Sequence, residues 1–94
     1  MMKPTDFCHN NRVLPGRMCV PLLRYLDDHL PVGDFLQAVI ANDLREAVFR
    51  ADDENIELIP VYVMFLHLEA PASSWGSHEA YDEWISDRYF GGGR

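Results

Sequence analysis

The chain has 94 residues, a hydrophobic fraction of 48% and a formal net charge of -7 at pH 7. This length predicts a single domain whose core gives only a few kcal/mol of net stability. The negative charge argues against binding to duplex nucleic acid, which requires a surplus of lysine and arginine to displace counterions. We expect a homo-oligomer, because so small a helical domain leaves apolar surface outside its core.

Charge is distributed unevenly along the chain. Residues 1–24 contain four basic side chains and the single acid Asp6, whereas residues 25–94 contain four arginines and fourteen acids. Nothing before Pro21 is periodic, so residues 1–20 are predicted to form an irregular arm. A basic arm on an acidic body is suited to contact an anionic ligand or a neighbouring subunit, although a solvated tail explains the pattern equally well.

The N-terminal residues lack the apolar core of a signal peptide, and no apolar run approaches transmembrane length. Cys8 and Cys19 fit neither a disulfide scaffold nor a C-x-x-C pair. The sequence therefore predicts a cytoplasmic protein with reduced thiols and no membrane attachment.

The stretch 30–55 contains the clearest helix of the sequence, predicted over residues 35–51. Asp34 is expected to cap its start, with Gln37 completing a capping box. Apolar residues at helical spacing predict one buried stripe along it, formed by Leu36, Ile40, Leu44, Ala47, Val48 and Ala51.

Three further helices are predicted around this one. The first begins at Pro21 and ends before Pro31, and the second covers about 53–70, with Pro60 as a kink or as its true first turn. The last covers about 78–89 and is capped by Ser77. The sum is an all-α domain of four helices over residues 21–90, followed by a flexible tail at 91–94.

A series of short landmarks runs through residues 14–85. In order they read PGRM, RYL, LPVGDFL, NDL followed by EA, ADDEN, AP and WGS, with Trp84 after them. In this order and spacing the chain resembles a group of short accessory proteins of bacteriophages and prophages. It departs from them at Asp34, where serine is common, at His78, where proline is usual, and at Pro60, where a helix former is expected. The resemblance implies a counter-defence or host-takeover setting in the host bacterial cytoplasm, and it brings no chemistry with it.

Two groups of residues are candidates for ligand binding. The polar face of the 35–51 helix presents amide, carboxylate and guanidinium groups that suit a polar ligand, although a solvated helix face has the same composition. In the W-G-S turn, tryptophan offers a stacking face and the helix start offers free N–H groups, while arginines of the arm offer phosphate contacts. The same turn is explained equally by a tryptophan that fills the core and a serine that caps the helix. The candidate ligand-binding residues are Arg12, Arg17, Arg24, Asn42, Asp43, Glu46, Trp75, Ser77 and His78.

An enzymatic interpretation rests on Glu54-x-x-Glu57 and Glu79-x-x-Asp82. These pairs resemble the carboxylate pattern of all-α NTP pyrophosphohydrolases, which hold magnesium with four acids from paired helices. In a chain with fifteen acids such a match arises easily by chance. The histidines lack the spacing of zinc ligands, so we predict neither a metal nor another cofactor.

The leading hypothesis is a non-enzymatic phage counter-defence protein that sequesters a nucleotide-type immune signal. The first alternative is inhibition of a host defence or regulatory complex by protein contact, with the acidic body covering a basic surface. The second alternative is the magnesium-dependent pyrophosphohydrolase.

Overall fold

The computed structural model describes residues 1–90, so the predicted tail at 91–94 lies outside the described residues. The described chain contains five α-helices rather than four: α1 (Gly16–Asp28), α2 (Asp34–Ile40), α3 (Leu44–Arg50), α4 (Asp53–Glu69) and α5 (His78–Phe90). A hairpin of β1 (Cys8–His9) and β2 (Arg12–Val13) precedes them, and short 3-10 turns occupy Pro4–Asp6 and Ala72–Ser74. The predicted helical class is confirmed. None of these helices is long and apolar enough to cross a membrane.

The N-terminal segment has more structure than the sequence predicted. Asn10 and Asn11 both adopt positive φ angles, 52° and 61°, which are the angles that a tight hairpin turn requires. The side chains of Phe7 and Leu14 are buried in the core. These 15 N-terminal residues are therefore anchored by apolar contacts, including an edge-to-face contact of Phe7 with Phe65.

The first helix starts earlier than predicted. It begins at Gly16, and Pro21 lies inside it rather than at its first position. The carbonyl of Pro15 accepts hydrogen bonds from the N–H groups of Met18 and Cys19, which close the first turn. Proline is tolerated here at the cost of one backbone hydrogen bond. His29, with a φ of 59°, ends the helix.

The single helix predicted over 35–51 is wrong, because the chain turns at Asn42. Asn42 has a φ of 59°, its N–H donates to the carbonyl of Val39 at 3.0 Å, and the N–H of Asp43 donates to that of Ala38 at 2.9 Å. This pair of hydrogen bonds is the Schellman motif that ends many helices, with asparagine in place of the usual glycine. Asp43 then caps α3, since its Oδ1 accepts from the N–H of Glu46 at 3.2 Å.

The break divides the predicted apolar stripe. Ile40 and Ala47 are buried as expected, whereas Leu44 and Val48 are 66% and 43% exposed. The predicted capping role of Asp34 is also wrong. Gly33 occupies the capping position of α2 without a side-chain contact, and Asp34 is the first residue of the helix.

The last two long helices follow the prediction closely. Asp52 caps α4, because its Oδ1 accepts from the N–H of Asn55 at 2.8 Å, and Pro60 lies within the helix. Ser77 caps α5, since its Oγ accepts from the N–H of Ala80 at 3.0 Å. The largest side chains of the core, Tyr25, Tyr62 and Phe65, are fully enclosed.

Helix α5 is fastened to α1 by aromatic contacts. The ring of Tyr81 stacks on that of Tyr25 with centroids 5.5 Å apart, and Trp84 Nε1 donates to the Tyr25 carbonyl at 2.7 Å. The Tyr25 hydroxyl donates to the carbonyl of Ser74 at 2.6 Å. Burial raises the pKa of Tyr25, so this hydroxyl stays protonated and continues to donate.

Candidate functional site

A cavity of about 310 Å³ lies where α1, the start of α2, the end of α3 and the start of α4 meet. We call it the arginine cavity. Its lining combines apolar side chains with a few polar groups, a composition typical of small-molecule sites, and its volume is at the lower end of their range. The lining residues are Arg17, Met18, Pro21, Gly33, Asp34, Phe35, Leu36, Arg50, Asp52 and Asn55.

Two guanidinium groups from different helices line the cavity. Arg17 Nη2 on α1 contacts carboxylate oxygens of Asp52 and Glu54, each at 2.8 Å. Arg50 at the end of α3 contacts Asp34 and Glu46, each at 3.4 Å. Both arginine side chains remain about half exposed, so parts of both guanidinium groups stay accessible from solvent.

The ion pairs orient these groups and adjust their protonation. Hydrogen bonds from Arg17, most of all to Glu54, raise the pKa of its guanidinium. The pKa of Asp52 is lowered, chiefly because its carboxylate accepts from the N–H of Asn55 and further because Arg17 donates to it. Arginine cation and aspartate anion are therefore both stable at neutral pH, and both hold a fixed position at the edge of the cavity.

The polar group deepest in the lining is the side-chain amide of Asn55. This residue is 3% exposed, and its Oδ1 accepts a 2.7 Å hydrogen bond from the Tyr62 hydroxyl. Tyr62 is fully buried and its pKa is raised by that burial, so it acts as a permanent donor that fixes the amide orientation. The Asn55 Nδ2 group has no hydrogen-bond partner in the part of the chain that the structure describes.

The partial exposure of this nitrogen follows from the hydrogen bonds of the described residues. Among the described residues, every fully enclosed side-chain nitrogen or oxygen has a partner. Asn55 Nδ2 has none, so it is not fully enclosed, and Asn55 itself lines the cavity. Asn55 therefore contributes a side-chain amide to the lining of the arginine cavity. Because this nitrogen is not fully enclosed, its N–H donors are open to solvent or to a bound ligand.

A smaller cleft of about 140 Å³ adjoins the arginine cavity, because Asp34 and Arg50 line both. Its other lining residues are Gln37, Ala38, Glu46 and His78. His78 Nε2 lies 2.9 Å from Oδ2 of Asp43, and this contact links the start of α5 to the start of α3. The hydrogen bond with His78 is the main reason that the pKa of Asp43 is lowered.

The structure brings some of the sequence-predicted residues together. Arg17 lines the arginine cavity, Glu46 and His78 line the adjoining cleft, and Asp43 contacts His78. Asn42 is exposed at the turn between α2 and α3, and its positive φ angle allows the chain to turn there.

The other predicted residues lie elsewhere. Arg12 is on β2 and pairs with Glu57 of α4 at 3.4 Å, and Arg24 is exposed on α1. Trp75 is half-buried against the core, and Ser77 uses its hydroxyl as a helix cap. The backbone N–H of Gly76 donates to the carbonyl of Ile40 at 2.7 Å, which ties this turn to the end of α2.

Sequence reasoning missed Asn55 and the contribution of Asp34 and Asp52 to the site, and it placed Arg50 on a helix face rather than at a cavity. The E-x-x-E pair has a structural use, since Glu54 contacts Arg17 and Glu57 contacts Arg12. Within the described residues, no three histidine, cysteine, aspartate or glutamate side chains are arranged to hold a metal ion.

A wider cavity of about 480 Å³ lies beside α5. Asp82, Glu83 and Asp87 line it together with Ser73, Trp84 and Ser86. The carboxylates of Asp82 and Glu83 repel anions, and the described lining residues include no arginine or lysine. We therefore place the candidate site at the arginine cavity.

Comparison of the chain with protein-family models, with curated proteins and with solved structures finds no match.

Proposed function

We propose that this chain is a non-enzymatic binding protein whose arginine cavity takes a small anionic ligand of the nucleotide type. The observation that carries the proposal is the lining of this cavity, where the guanidinium groups of Arg17 and Arg50 occur together with the Asn55 amide that Tyr62 holds. An amide held in this way supplies a fixed hydrogen bond to an acceptor on a ligand, and such fixed polar groups determine which ligand a pocket accepts.

Each part of the lining corresponds to part of a nucleotide. The guanidinium groups of Arg17 and Arg50 have the planar donor geometry that matches phosphate oxygens. Phe35 and Met18 supply apolar surface for a base, and Asn55 supplies donors for a ring nitrogen or carbonyl oxygen. Asp34 can accept hydrogen bonds from sugar hydroxyls or an exocyclic amino group.

The carboxylates around the arginines set a condition on binding. Arg17 already contacts Asp52 and Glu54, so a phosphate must compete with these groups for the guanidinium donors. Glu54 holds Arg17 but does not line the cavity. Replacement of Glu54 by glutamine should therefore strengthen ligand binding, since it removes a competing charge without removing a cavity residue.

The phage-like landmarks suggest a use for such a site. A protein that holds a nucleotide immune signal lowers the free concentration of the signal, and this requires tight binding but no catalytic group. We propose that the chain acts as a counter-defence protein in this way.

The test is a ligand screen on the purified protein. Cyclic dinucleotides, cyclic trinucleotides and cyclic ADP-ribose-type molecules are added, the melting temperature is recorded, and bound material is released by denaturation and identified. We expect one of these ligands to raise the melting temperature and to be released unchanged. Absence of binding by every nucleotide in the screen would refute the proposal.

Matched arginine variants locate the site. Arg17→Gln removes a cavity guanidinium and should weaken binding by about tenfold or more, the loss expected for a charge-assisted hydrogen bond to phosphate. Arg12→Gln removes an exposed arginine of the same segment that pairs with Glu57 outside the cavity, and it should leave the affinity unchanged. Equal effects of the two substitutions would place the ligand elsewhere.

A further inference from the structure

A second compartment adjoins the arginine cavity. The cleft of about 140 Å³ shares Asp34 and Arg50 with it, so the Arg50 side chain lies at the boundary between the two. At roughly 30 Å³ for each water molecule, the cleft has room for about five of them, which is the size of one heterocyclic base rather than of a whole nucleotide. A ligand that occupies both compartments therefore has two parts that meet at Arg50.

Each compartment is lined by one residue with a side-chain amide. Asn55 lines the arginine cavity, and Tyr62 donates to its amide oxygen. Gln37 of α2 lines the adjoining cleft, where it is half-buried and its side chain has no hydrogen-bond partner in the described part of the chain. A free glutamine amide combines an acceptor with two donors, the pattern by which asparagine and glutamine recognise the edge of a base. Two compartments with one amide each and a shared arginine suit a ligand with two bases and a phosphate between them.

The charges around Arg50 favour a phosphodiester over a terminal phosphate. Arg50 contacts Asp34 and Glu46 at 3.4 Å each, longer than the roughly 2.7–2.9 Å of a strong charge-assisted hydrogen bond, so its donors are loosely held. Both carboxylates stay close to any group that binds there, and they repel negative charge. A terminal phosphate carries a charge of about -1.5 to -2 at neutral pH, whereas a phosphodiester carries a single negative charge. The phosphodiester is therefore the better match to one guanidinium between two carboxylates.

We propose that the arginine cavity and the adjoining cleft form one site for a dinucleotide, with a bridging phosphodiester at Arg50 and one base in each compartment. One base contacts Asn55, and the other pairs with the amide of Gln37. Asp34 and Glu46 accept hydrogen bonds from sugar hydroxyls beside the phosphate. This inference rests on the proposed function, because it names the class of nucleotide that the arginine cavity takes.

The first test compares ligands of one and two bases on the full-length protein by isothermal titration calorimetry. The probes are the mononucleotides AMP, GMP, CMP and UMP, the dinucleoside monophosphates ApA, GpG, CpC and UpU, and cyclic di-AMP and cyclic di-GMP. At least one dinucleotide should bind about tenfold or more tightly than the mononucleotide of the same base, since the contacts of its second base are added within one molecule. Equal affinities for every such pair would overturn the inference.

The second test separates the two compartments with single substitutions. Gln37→Ala should weaken the dinucleotide by about tenfold and leave the mononucleotide unchanged, because only the dinucleotide reaches the cleft. The variant should stay folded, since the Gln37 side chain makes no hydrogen bond among the described residues and alanine is the best helix former; its melting temperature checks this. Arg17→Gln, in the arginine cavity alone, should weaken both ligands. Glu57→Gln, on an exposed residue outside both compartments, serves as the control and should change neither.

The outcomes distinguish this inference from the proposal on which it rests. A Gln37→Ala variant that binds the dinucleotide as tightly as the wild type, or that loses both ligands equally, would overturn the two-compartment site and leave the arginine cavity as a nucleotide site. A cyclic ADP-ribose-type molecule bound more tightly than every dinucleotide would have the same consequence. Absence of binding by every nucleotide, the mononucleotides included, would refute the proposed function itself and this inference with it.

Discussion

The hydrogen bond between Tyr62 and Asn55 is the most informative one to remove, because it supports both the core and the proposed site. Tyr62→Phe deletes the hydroxyl and leaves the ring in place. The Oδ1 atom of Asn55, on a residue only 3% exposed, then loses its partner. A buried acceptor left without a partner costs about 1–3 kcal/mol, more than the net value of the hydrogen bond itself.

This loss should be measured by thermal and by urea denaturation, each followed by circular dichroism. In a domain of this size, a loss of 1 kcal/mol lowers the melting temperature by roughly 4–8 °C, so the effect is well above the precision of the assay. The urea dependence of the unfolding free energy should not change, since both states keep nearly the same buried surface.

A double-mutant cycle separates this hydrogen bond from other effects of the substitution. Tyr62→Phe should be nearly silent in an Asn55→Ala background, where no acceptor remains. In the wild-type background it should also weaken the binding of any ligand found in the screen, because the Asn55 amide loses the contact that fixes its orientation. A stability change below about 0.3 kcal/mol, or strict additivity in the cycle, would refute this account of the site.

Three further substitutions test other parts of the fold. Asn42→Ala should lower the unfolding free energy by about 1 kcal/mol, because alanine disfavours the left-handed conformation at a φ of 59°. Asn42→Gly should not lower it, since glycine adopts this conformation readily, and urea denaturation of both variants tests the difference. Asp43→Asn should make stability less dependent on pH as the pH falls below 3.8. The pKa of Asp43 is lowered in the folded state from 3.8, so its ionised form stabilises the protein above that value and the contribution is lost as the pH falls; comparison of urea midpoints for the variant and the wild type tests the sign. Pro60→Ala should raise the unfolding free energy by about 1 kcal/mol or more, since it restores one helix hydrogen bond at an exposed position, and a lower melting temperature would contradict this.

The parts of the fold that depend on local signals were predictable. The predicted helix over 53–70 is observed as Asp53–Glu69, and the one over 78–89 as His78–Phe90. Each of these two helices has a capping side chain directly before it, and a helix-ending signal follows the first one. These signals act over four residues or fewer. The start of α1 was missed because proline inside a helix is rare, so Pro21 was interpreted as a first residue.

The site was predictable only in part. Arg17 is a candidate ligand-binding residue from the sequence, because the basic N-terminal segment contrasts with the acidic remainder of the chain. Asn55 was not, since nothing in A-D-D-E-N distinguishes a buried amide from a solvated one. Its burial depends on the packing of α1 and α2 over the start of α4 and on the hydroxyl of Tyr62, seven residues later. Such tertiary relations leave no mark in a periodic pattern.

The turn at Asn42 determines both the arginine cavity and the exposure of Leu44 on α3. In one continuous helix, Asp34 and Arg50 would lie about 24 Å apart along the axis, at 1.5 Å per residue. In the structure their charged atoms are 3.4 Å apart, because α3 folds back beside the start of α2. This return places Arg50 at the arginine cavity, and it also rotates Leu44 away from the core and into solvent. The left-handed residue that breaks the predicted helix is therefore a common cause of the cavity and of the exposure of Leu44.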